Sequence, residues 1–396
     1  MPKRAIRTYQ ILSLFYAGTF AFMAGLLPFI LMAKGMDSSA IALYFAIYSF
    51  GALVLEVPSG AFADAHGRKN AIALGFLLQT IFIPAFILLP GGVLFTLFAF
   101  VVAAADSMMS GAAEAYAVDM INERERMDYT HRLLSSGRTY KFALFLVGSL
   151  VGGYAGTISI LLPAALCFPF ALGGLLFSWF RLVDDSPKKD LGKAERSILK
   201  KMALSIQESA RSPSIGIIYI ITLLLGLGTF GLFLYWQIML NATAGWGPDM
   251  MGFFFALVSL CVIIGSRLST SIRPGWKAVS IIMVTLAILL GLAAWTAIPL
   301  LLSALILLWE FVFGLYQPIE GAIINANTKS AIRATVMSVN ALSYRVGWVV
   351  LGFIVAFFPI SDPRILWYIG AVFLFMAAIL STYAIIRKLP SAAGTS

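Results

Sequence analysis

The stretch GAFADAHGRKNAIALG, residues 60–75, holds four ionisable side chains within six residues: Asp64, His66, Arg68 and Lys69. Only 12% of the 396 residues are charged, whereas 60% are hydrophobic, and the segments on both sides of this stretch are almost continuously apolar. A soluble protein has about 25% charged residues. The stretch is therefore a short polar connection between two hydrophobic segments, and its charges need a specific explanation.

Twelve apolar runs along the chain have the length of membrane spans. A transmembrane helix needs about 20 apolar residues to cross ~30 Å of hydrocarbon. The runs centre near residues 9–33, 40–58, 70–90, 93–118, 139–159, 160–180, 214–240, 249–266, 278–297, 299–323, 334–358 and 365–386. None shows the alternation over about 10 residues that is typical of barrel strands. The pattern predicts an all-α polytopic membrane protein with twelve transmembrane helices.

The positions of the basic residues predict how the chain is oriented. With twelve spans, 24 of the 28 Lys and Arg residues fall in connections on one side of the membrane. Lys34 and Arg364 lie on the other side, and Lys141 and Arg345 fall within spans. Basic connections stay in the cytoplasm. We therefore expect a multi-pass protein of the inner (cell) membrane with both termini in the cytoplasm. Because the basic residues are spread over separate loops, the net charge of +10 does not indicate a nucleic-acid partner.

The sequence shows no pattern typical of a metal site, a cofactor site or an enzyme. Cys167 and Cys261 lie within apolar runs, and His66 and His131 lie in different loops without metal-ligand spacing. No nucleophile–base motif or phosphate-binding glycine-rich loop occurs. We expect no catalytic activity, no cofactor and no metal. A membrane enzyme, and a receptor or channel, are the alternatives from other classes.

A polar segment divides the twelve runs into six and six. We expect an N-terminal six-helix bundle at residues 1–180, a cytoplasmic central loop at 181–213 and a C-terminal six-helix bundle at 214–396. Within the loop, Ile198, Met202 and Ile206 follow helical spacing. This spacing fits either a helix on the membrane surface or a solvated linker helix.

The two halves resemble each other weakly. GTFAF at Gly18 recurs as GTFGL at Gly228. Three further matches share an offset of 204 residues: Asp106 with Glu310, Lys141 with Arg345, and Gly148 with Gly352. Parallel repeats related by an axis along the membrane normal are a known transporter architecture, with the substrate site near the midplane.

The opening stretch resembles the loop between helices two and three of the major facilitator superfamily, whose pattern is G-x-L-A-D-x-x-G-R-[KR]. The matching residues are Gly60, Ala63, Asp64, Gly67, Arg68 and Lys69, and Phe62 replaces the usual Leu. EVPSG (56–60) and SGAAEAYAVD (110–119) resemble a bacterial subgroup that includes many drug–proton antiporters. The resemblance implies two pseudo-symmetric six-helix bundles and alternating access.

In this family the loop cluster latches the cytoplasmic side of the transporter. The resemblance therefore implies a cytoplasmic gate made of Gly60, Asp64, Gly67, Arg68, Lys69 and Asp119. Arg68 can form a forked ion pair with a carboxylate, and Asp119 at the inner end of the fourth span is the candidate partner. The alternative is a basic loop that only fixes topology, although such a loop needs neither the aspartate nor the glycines.

Three acids within the apolar runs need an explanation, because a charge at the bilayer centre costs at least ~2.5–3.5 kcal/mol. Asp106 and Glu310 lie midway along the fourth and tenth runs, and Glu114 follows Asp106 by two turns. Burial disfavours a charged carboxylate, so these acids are candidates for proton coupling. The alternative is a structural ion pair with Lys141 or Arg345.

The resemblance also places the first, fourth, seventh and tenth helices around a substrate cavity. The candidate cavity residues are Tyr16, Phe20, Tyr235, Trp236, Gln237, Trp309, Gln317, Asn340 and Arg345. Aromatic faces next to carboxylates suit amphiphilic or cationic molecules, although aromatic residues in spans often only pack. Arg345 can hold an anionic substrate, act as a fixed counter-charge or pair with Glu310, and we favour the pair.

Together these patterns predict a secondary active transporter that exports a hydrophobic or amphiphilic small molecule in exchange for protons. The alternative is a proton symporter that imports a polar or anionic solute. The segment GSLVGGYAGT (148–157) lacks the Gly-Pro pair that many antiporters of this family carry in helix five, which favours the alternative. The expected partners are a small-molecule substrate, protons and the lipid bilayer, and a monomer suffices for this fold.

Overall fold

The computed structural model describes residues 2–121, 126–183, 200, 207, 212–328, 332–358, 360 and 362–391. All regular structure in these residues is helical. The helices are α1 (Pro2–Gly18), α2 (Leu27–Ala33), α3 (Ser38–His66), α4 (Arg68–Leu88), α5 (Val93–Asp119), α6 (Arg126–Ile158), α7 (Leu162–Arg181), α8 (Pro213–Ala244), α9 (Pro248–Leu268), α10 (Trp276–Trp295), α11 (Pro299–Ala326), α12 (Arg333–Phe357) and α13 (Pro363–Ile386). The predicted central-loop helix at Ile198, Met202 and Ile206 lies outside the described residues.

Among the described residues, eleven helices are long and apolar enough to cross a membrane. The chain is therefore an all-α polytopic membrane protein, as predicted. The first predicted span differs, because α1 and α2 are separated by hydrogen-bonded turns at residues 19–26. Glycine and proline interrupt the helix here, with Gly18 and Gly25 at the two ends of the turns and Pro28 in the first turn of α2. Of residues 19–26, only Phe20 is exposed.

The described chain separates into two compact units. Unit 1 contains the described residues of 1–37, 50–198 and 247–256, and unit 2 contains those of 38–49, 199–246 and 257–396. The first residues of α3 therefore belong to unit 2, and the first residues of α9 belong to unit 1. The domain ranges inferred from the sequence remain a prediction.

The same helix pairings occur in both units. In unit 1, α1 packs against α6, and α4 packs against α5 and α7. In unit 2, α8 packs against α12, and α10 packs against α11 and α13. Each pairing of unit 1 matches the pairing of the corresponding helices six spans later. This is the internal repeat that the weak sequence matches indicated.

The cytoplasm-facing ends predicted for unit 2 meet at one carbonyl group. The carbonyl oxygen of Pro390, just after α13, accepts hydrogen bonds from Ser214 Oγ (2.9 Å), Trp276 Nε1 (3.1 Å) and Asn327 Nδ2 (3.5 Å). These donors lie at the starts of α8 and α10 and at the end of α11. The four helix ends therefore lie on one side of the unit. The predicted topology places the starts of α8 and α10 and the ends of α11 and α13 on the same side of the membrane, in agreement with this arrangement.

Candidate functional site

The loop that opened the sequence analysis is a one-residue connection between two helices. Helix α3 ends at His66, α4 begins at Arg68, and Gly67 between them has φ +91°, a left-handed conformation that favours glycine. Asn70 Nδ2 donates to the His66 carbonyl at 2.7 Å. The turn therefore places Arg68 at the very start of α4, beside the end of α5.

Arg68 binds the C-terminal end of α5. Its Nη1 donates to the carbonyl of Ala115 at 2.6 Å and forms an ion pair with Asp119. A cation at a helix C-terminus also interacts favourably with the helix dipole. The side chains of Arg68 and Asp119 are 24% and 51% exposed, so water can reach the pair. Lys69 is half-buried in the first turn of α4.

A cavity of about 170 Å³ lies beside this ion pair, and we call it the loop-side cavity. The cavity is lined by the motif residue Gly60 and by the polar residues Glu56, Ser59, Asp64, Arg68, Ser107 and Ser110. Asp64 is exposed into it, and the buried Ser107 hydroxyl has no hydrogen-bond partner among the described residues. The gate residues predicted from the sequence therefore lie together in unit 1.

The two acids of α5 have different surroundings. Asp106 is half-buried and accepts a long hydrogen bond from Gln79 Nε2 of α4 (3.5 Å). Glu114 is exposed and accepts a hydrogen bond from Tyr9 OH of α1 (3.0 Å). Eight helical residues turn about 800°, which is ~80° beyond two full turns. Asp106 therefore faces α4, whereas Glu114 faces α1.

Glu114 lines a second cavity of unit 1, of about 280 Å³, which we call the tyrosine cavity. Its polar lining is Tyr9, Ser13, Tyr16, Ser110, Glu114 and Lys141. The Lys141 ammonium lies 4.5 Å from the centre of the Tyr16 ring, within the range of a cation–π interaction. Phe20, predicted to line the substrate cavity, packs on Phe145 with the ring centres 6.4 Å apart and is 38% exposed.

In unit 2, Glu310 is 2% exposed, and it interacts electrostatically with Tyr344, one of a group of aromatic side chains. We call these the aromatic cluster, made of Phe233, Trp309, Phe313, Tyr344 and Trp348. Trp309 stacks on Phe313 at 5.2 Å, and Phe233 lies 6.0 Å from both and 5.9 Å from Trp348. The described residues give Glu310 no hydrogen-bond donor and no ion-pair partner, so the favoured pair with Arg345 is not formed in this structure.

Three of the predicted cavity residues have buried polar atoms without a partner among the described residues. These atoms are Gln237 Oε1, Trp309 Nε1 and Asn340 Oδ1. Each is available to a polar group of a ligand, because a buried polar atom without a hydrogen bond costs about 1–3 kcal/mol.

The remaining predicted cavity residues of unit 2 have mixed surroundings. Tyr235 and Trp236 are buried, and Tyr235 OH donates to the Ser38 carbonyl at 3.4 Å. Gln317 is exposed and Arg345 is half-buried. Tyr235 and Trp236 therefore contribute to the packing of α8.

A fourth acid, Glu320, was not among the proton-coupling or cavity residues expected from the sequence. The half-buried Glu320 of α11 accepts hydrogen bonds from Thr222 Oγ1 (2.5 Å), Tyr316 OH (3.0 Å) and the side chain of Asn340. We call these four residues the Glu320 cluster. The only sequence signal is the spacing of Tyr316 and Glu320, which places both on one face of α11. The contacts with α8 and α12 become visible only in the fold.

An all-helical membrane fold with two matching sets of helix pairings, and with acids inside both, is the architecture of a membrane transporter. The chain belongs to the Major Facilitator Superfamily, since residues 11–352 match the model of that family. It is also 24% identical over 380 residues to YxaM, an uncharacterized MFS-type transporter of Bacillus subtilis (strain 168). That match covers 91% of this chain and 90% of YxaM.

Three solved structures have a similar fold. The nucleoside transporter NupG has a TM-score of 0.71 at 16% identity, with 96% of this chain and 99% of NupG covered. A bacterial homolog of the human lysosomal transporter Spinster, inward-facing and occupied, has a TM-score of 0.74 at 14% identity. An auto-inhibited peptide transporter of the POT family has a TM-score of 0.73 at 15% identity. The last two matches cover 99% of both chains. The protein is thus a transporter of this superfamily, and membership of the drug–proton antiporter subgroup stays a prediction.

Proposed function

We propose that the protein exports a hydrophobic or amphiphilic small molecule in exchange for protons, by alternating access. The observation that carries this proposal is the position of Glu310, a buried acid without a hydrogen-bond or ion-pair partner among the described residues, beside Tyr344 of the aromatic cluster. Aromatic faces attract organic cations, and a carboxylate adds a charge that a proton can neutralise. An organic cation and a proton then compete for Glu310, which is the exchange that an antiporter requires.

Asp106 is the second proposed proton-coupling acid, and Glu114 is the third. Asp106 has Gln79 as a neutral hydrogen-bond partner, so either protonation state of the acid can be accommodated. Glu114 is open to the tyrosine cavity, where water can deliver a proton. The proposed cytoplasmic gate is the set predicted from the motif, Gly60, Asp64, Gly67, Arg68, Lys69 and Asp119. In this proposal the protein is a monomer in the inner membrane, with both termini in the cytoplasm.

The test is accumulation of a fluorescent lipophilic cation in energised cells, with and without a protonophore. Cells with the wild-type protein are expected to accumulate less dye than cells with Glu310→Gln or Asp106→Asn, and the protonophore is expected to abolish the difference. Asp249→Asn, at an exposed acid in the first turn of α9, is the matched control and should behave as wild type. Equal accumulation in all strains, at equal amounts of protein in the membrane, would refute amphiphile export.

A second candidate function is import of a polar or anionic solute by proton symport. It is favoured by the tyrosine cavity, where Glu114 and Lys141 provide charges of both signs beside hydroxyl groups. The similar folds of nucleoside and peptide transporters are compatible with such a solute. Addition of the right solute to wild-type cells is expected to make a weakly buffered medium alkaline. Lys141→Met should abolish that response if Lys141 binds an anionic group, and an unchanged response would contradict this role.

A further inference from the structure

We propose that Glu320 is the centre of a binding site for a small monovalent coupling cation, a proton or a sodium ion, separate from Glu310. The inference rests on the proposed transport function and adds a site to it. The two acids lie ten residues apart on α11, which corresponds to about 15 Å along the helix. Each acid therefore has its own surroundings.

The first argument is the set of groups around the carboxylate. Thr222 of α8, Tyr316 of α11 and Asn340 of α12 all hydrogen-bond to Glu320, and their side chains are 4%, 1% and 6% exposed. Three buried side chains from three helices thus hold the Glu320 carboxylate in one position. A site built from several helices is suited to a ligand that must be bound in a defined place.

The second argument is charge. The residues found to face Glu320 are Thr222, Tyr316 and Asn340; of these only Tyr316 can titrate, and none carries a positive charge. The ionised cluster therefore carries one uncompensated negative charge. An unpaired charge that is partly removed from water has a cost, so a bound cation would stabilise the cluster. Arg68 and Asp119 show the opposite arrangement, in which the protein itself provides the counter-charge.

The third argument is an atom without a partner. Asn340 Oδ1 is buried and has no hydrogen-bond partner among the described residues, although the same side chain bonds to Glu320. A protonated Glu320 has an O–H group that can donate to this oxygen once the amide rotates. A sodium ion can bind it directly, together with the carboxylate and hydroxyl oxygens, because hard cations prefer oxygen ligands. Either cation provides the partner that Asn340 lacks.

The experiment measures cation binding to the purified full-length protein in detergent. One arm measures ²²Na⁺ binding at saturation, and the other follows the carboxylic-acid infrared band during a pH titration in sodium-free buffer. If sodium is the ligand, the wild type binds about one ion per chain and Glu320→Gln binds none. If the proton is the ligand, no ²²Na⁺ binds, and the wild type shows a carboxylic-acid band that persists into the neutral pH range and is absent in Glu320→Gln. Asp249→Asn, at the exposed acid of α9, is the matched control and should keep the Glu320 signal.

If Glu320→Gln shows the same ²²Na⁺ binding and the same carboxylic-acid titration as the wild type, the proposal is overturned. Tyr316→Phe and Thr222→Val repeat the test with the acid intact, should Glu320→Gln not purify as a monodisperse protein. Each is expected to weaken ²²Na⁺ affinity about tenfold, or to shift the carboxyl titration to about tenfold lower proton concentration, because a donor to the ionised carboxylate is lost. Unchanged binding in both of these variants would also overturn it. None of these measurements uses a transported molecule, so failure of dye export and failure of this proposal are distinguishable.

Discussion

The two acids of α11 should affect stability in opposite directions. Glu310 is 2% exposed and has no hydrogen-bond or ion-pair partner among the described residues. Burying an unpaired polar group costs about 1–3 kcal/mol. Methionine has nearly the same shape as glutamate and suits an aromatic environment. Glu310→Met should therefore raise the free energy of unfolding by about 1–3 kcal/mol, while it abolishes the proton dependence of transport.

Glu320→Met is the matched control on the same helix. It removes the acceptor of three buried donors, Thr222, Tyr316 and Asn340. Each donor left without a partner costs about 1–3 kcal/mol, and partial relaxation makes a total loss of about 3–5 kcal/mol reasonable. The two substitutions are chemically identical, so the difference between them comes only from the surroundings.

The assay is thermal unfolding of purified variants in one detergent, followed by tryptophan fluorescence and by recovery of the monodisperse fraction. A higher unfolding temperature for Glu310→Met and a lower one for Glu320→Met are expected. If Glu310→Met lowers the unfolding temperature as much as Glu320→Met does, then Glu310 has a structural partner and the argument for its functional role is wrong.

Three further predictions concern the packing and the charges. Arg68→Met and Asp119→Asn, made singly and together, should show a coupling free energy of about 0.5–1 kcal/mol in denaturant unfolding, since the pair is partly exposed, and strictly additive effects would argue against an ion pair. Gly347→Ala should lower the unfolding temperature and Gly216→Ala should not, because a Cβ on Gly347 would lie 2.6 Å from a backbone nitrogen of α8 whereas Gly216 has open space. Burial lowers the pKa of Lys34 in the folded protein from its usual 10.5. Just below pH 10.5 the unfolded chain therefore binds more protons than the folded protein does, so the free energy of unfolding rises with pH in that range. Lys34→Met should lack that rise in a pH series of unfolding temperatures, and an identical pH series for both proteins would contradict it.

The spans were predictable because hydropathy and length determine them almost alone. The runs near 93–118 and 160–180 became α5 (Val93–Asp119) and α7 (Leu162–Arg181). The prediction of the first run as one continuous helix was wrong, because the average hydropathy of a segment does not reveal a break in its backbone. Gly18, Gly25 and Pro28 were the signal for that break.

The candidate site was predictable only where a motif fixes partners. The motif loop suggested that Arg68 would meet Asp119, and the structure joins them. The pairing of Glu320 with Thr222 was not predictable, because it joins residues 98 positions apart on two helices whose facing sides the sequence does not specify. For the same reason, the direction of Asp106 toward Gln79 depends on the rotation of α5 against α4.

The break between α1 and α2 has a consequence for the order of membrane assembly. Its backbone groups lie outside regular helix, and such groups are not tolerated in contact with lipid. They are covered by α6, where Gly148 and Gly152 leave no room for a Cβ against the backbone of Ala21 and Phe22. Yet α6 begins only at Arg126, so it is synthesised long after the first segment has reached the translocon. The turns between α1 and α2 therefore reach their final packing, covered by α6, only after more than a hundred further residues have been synthesised.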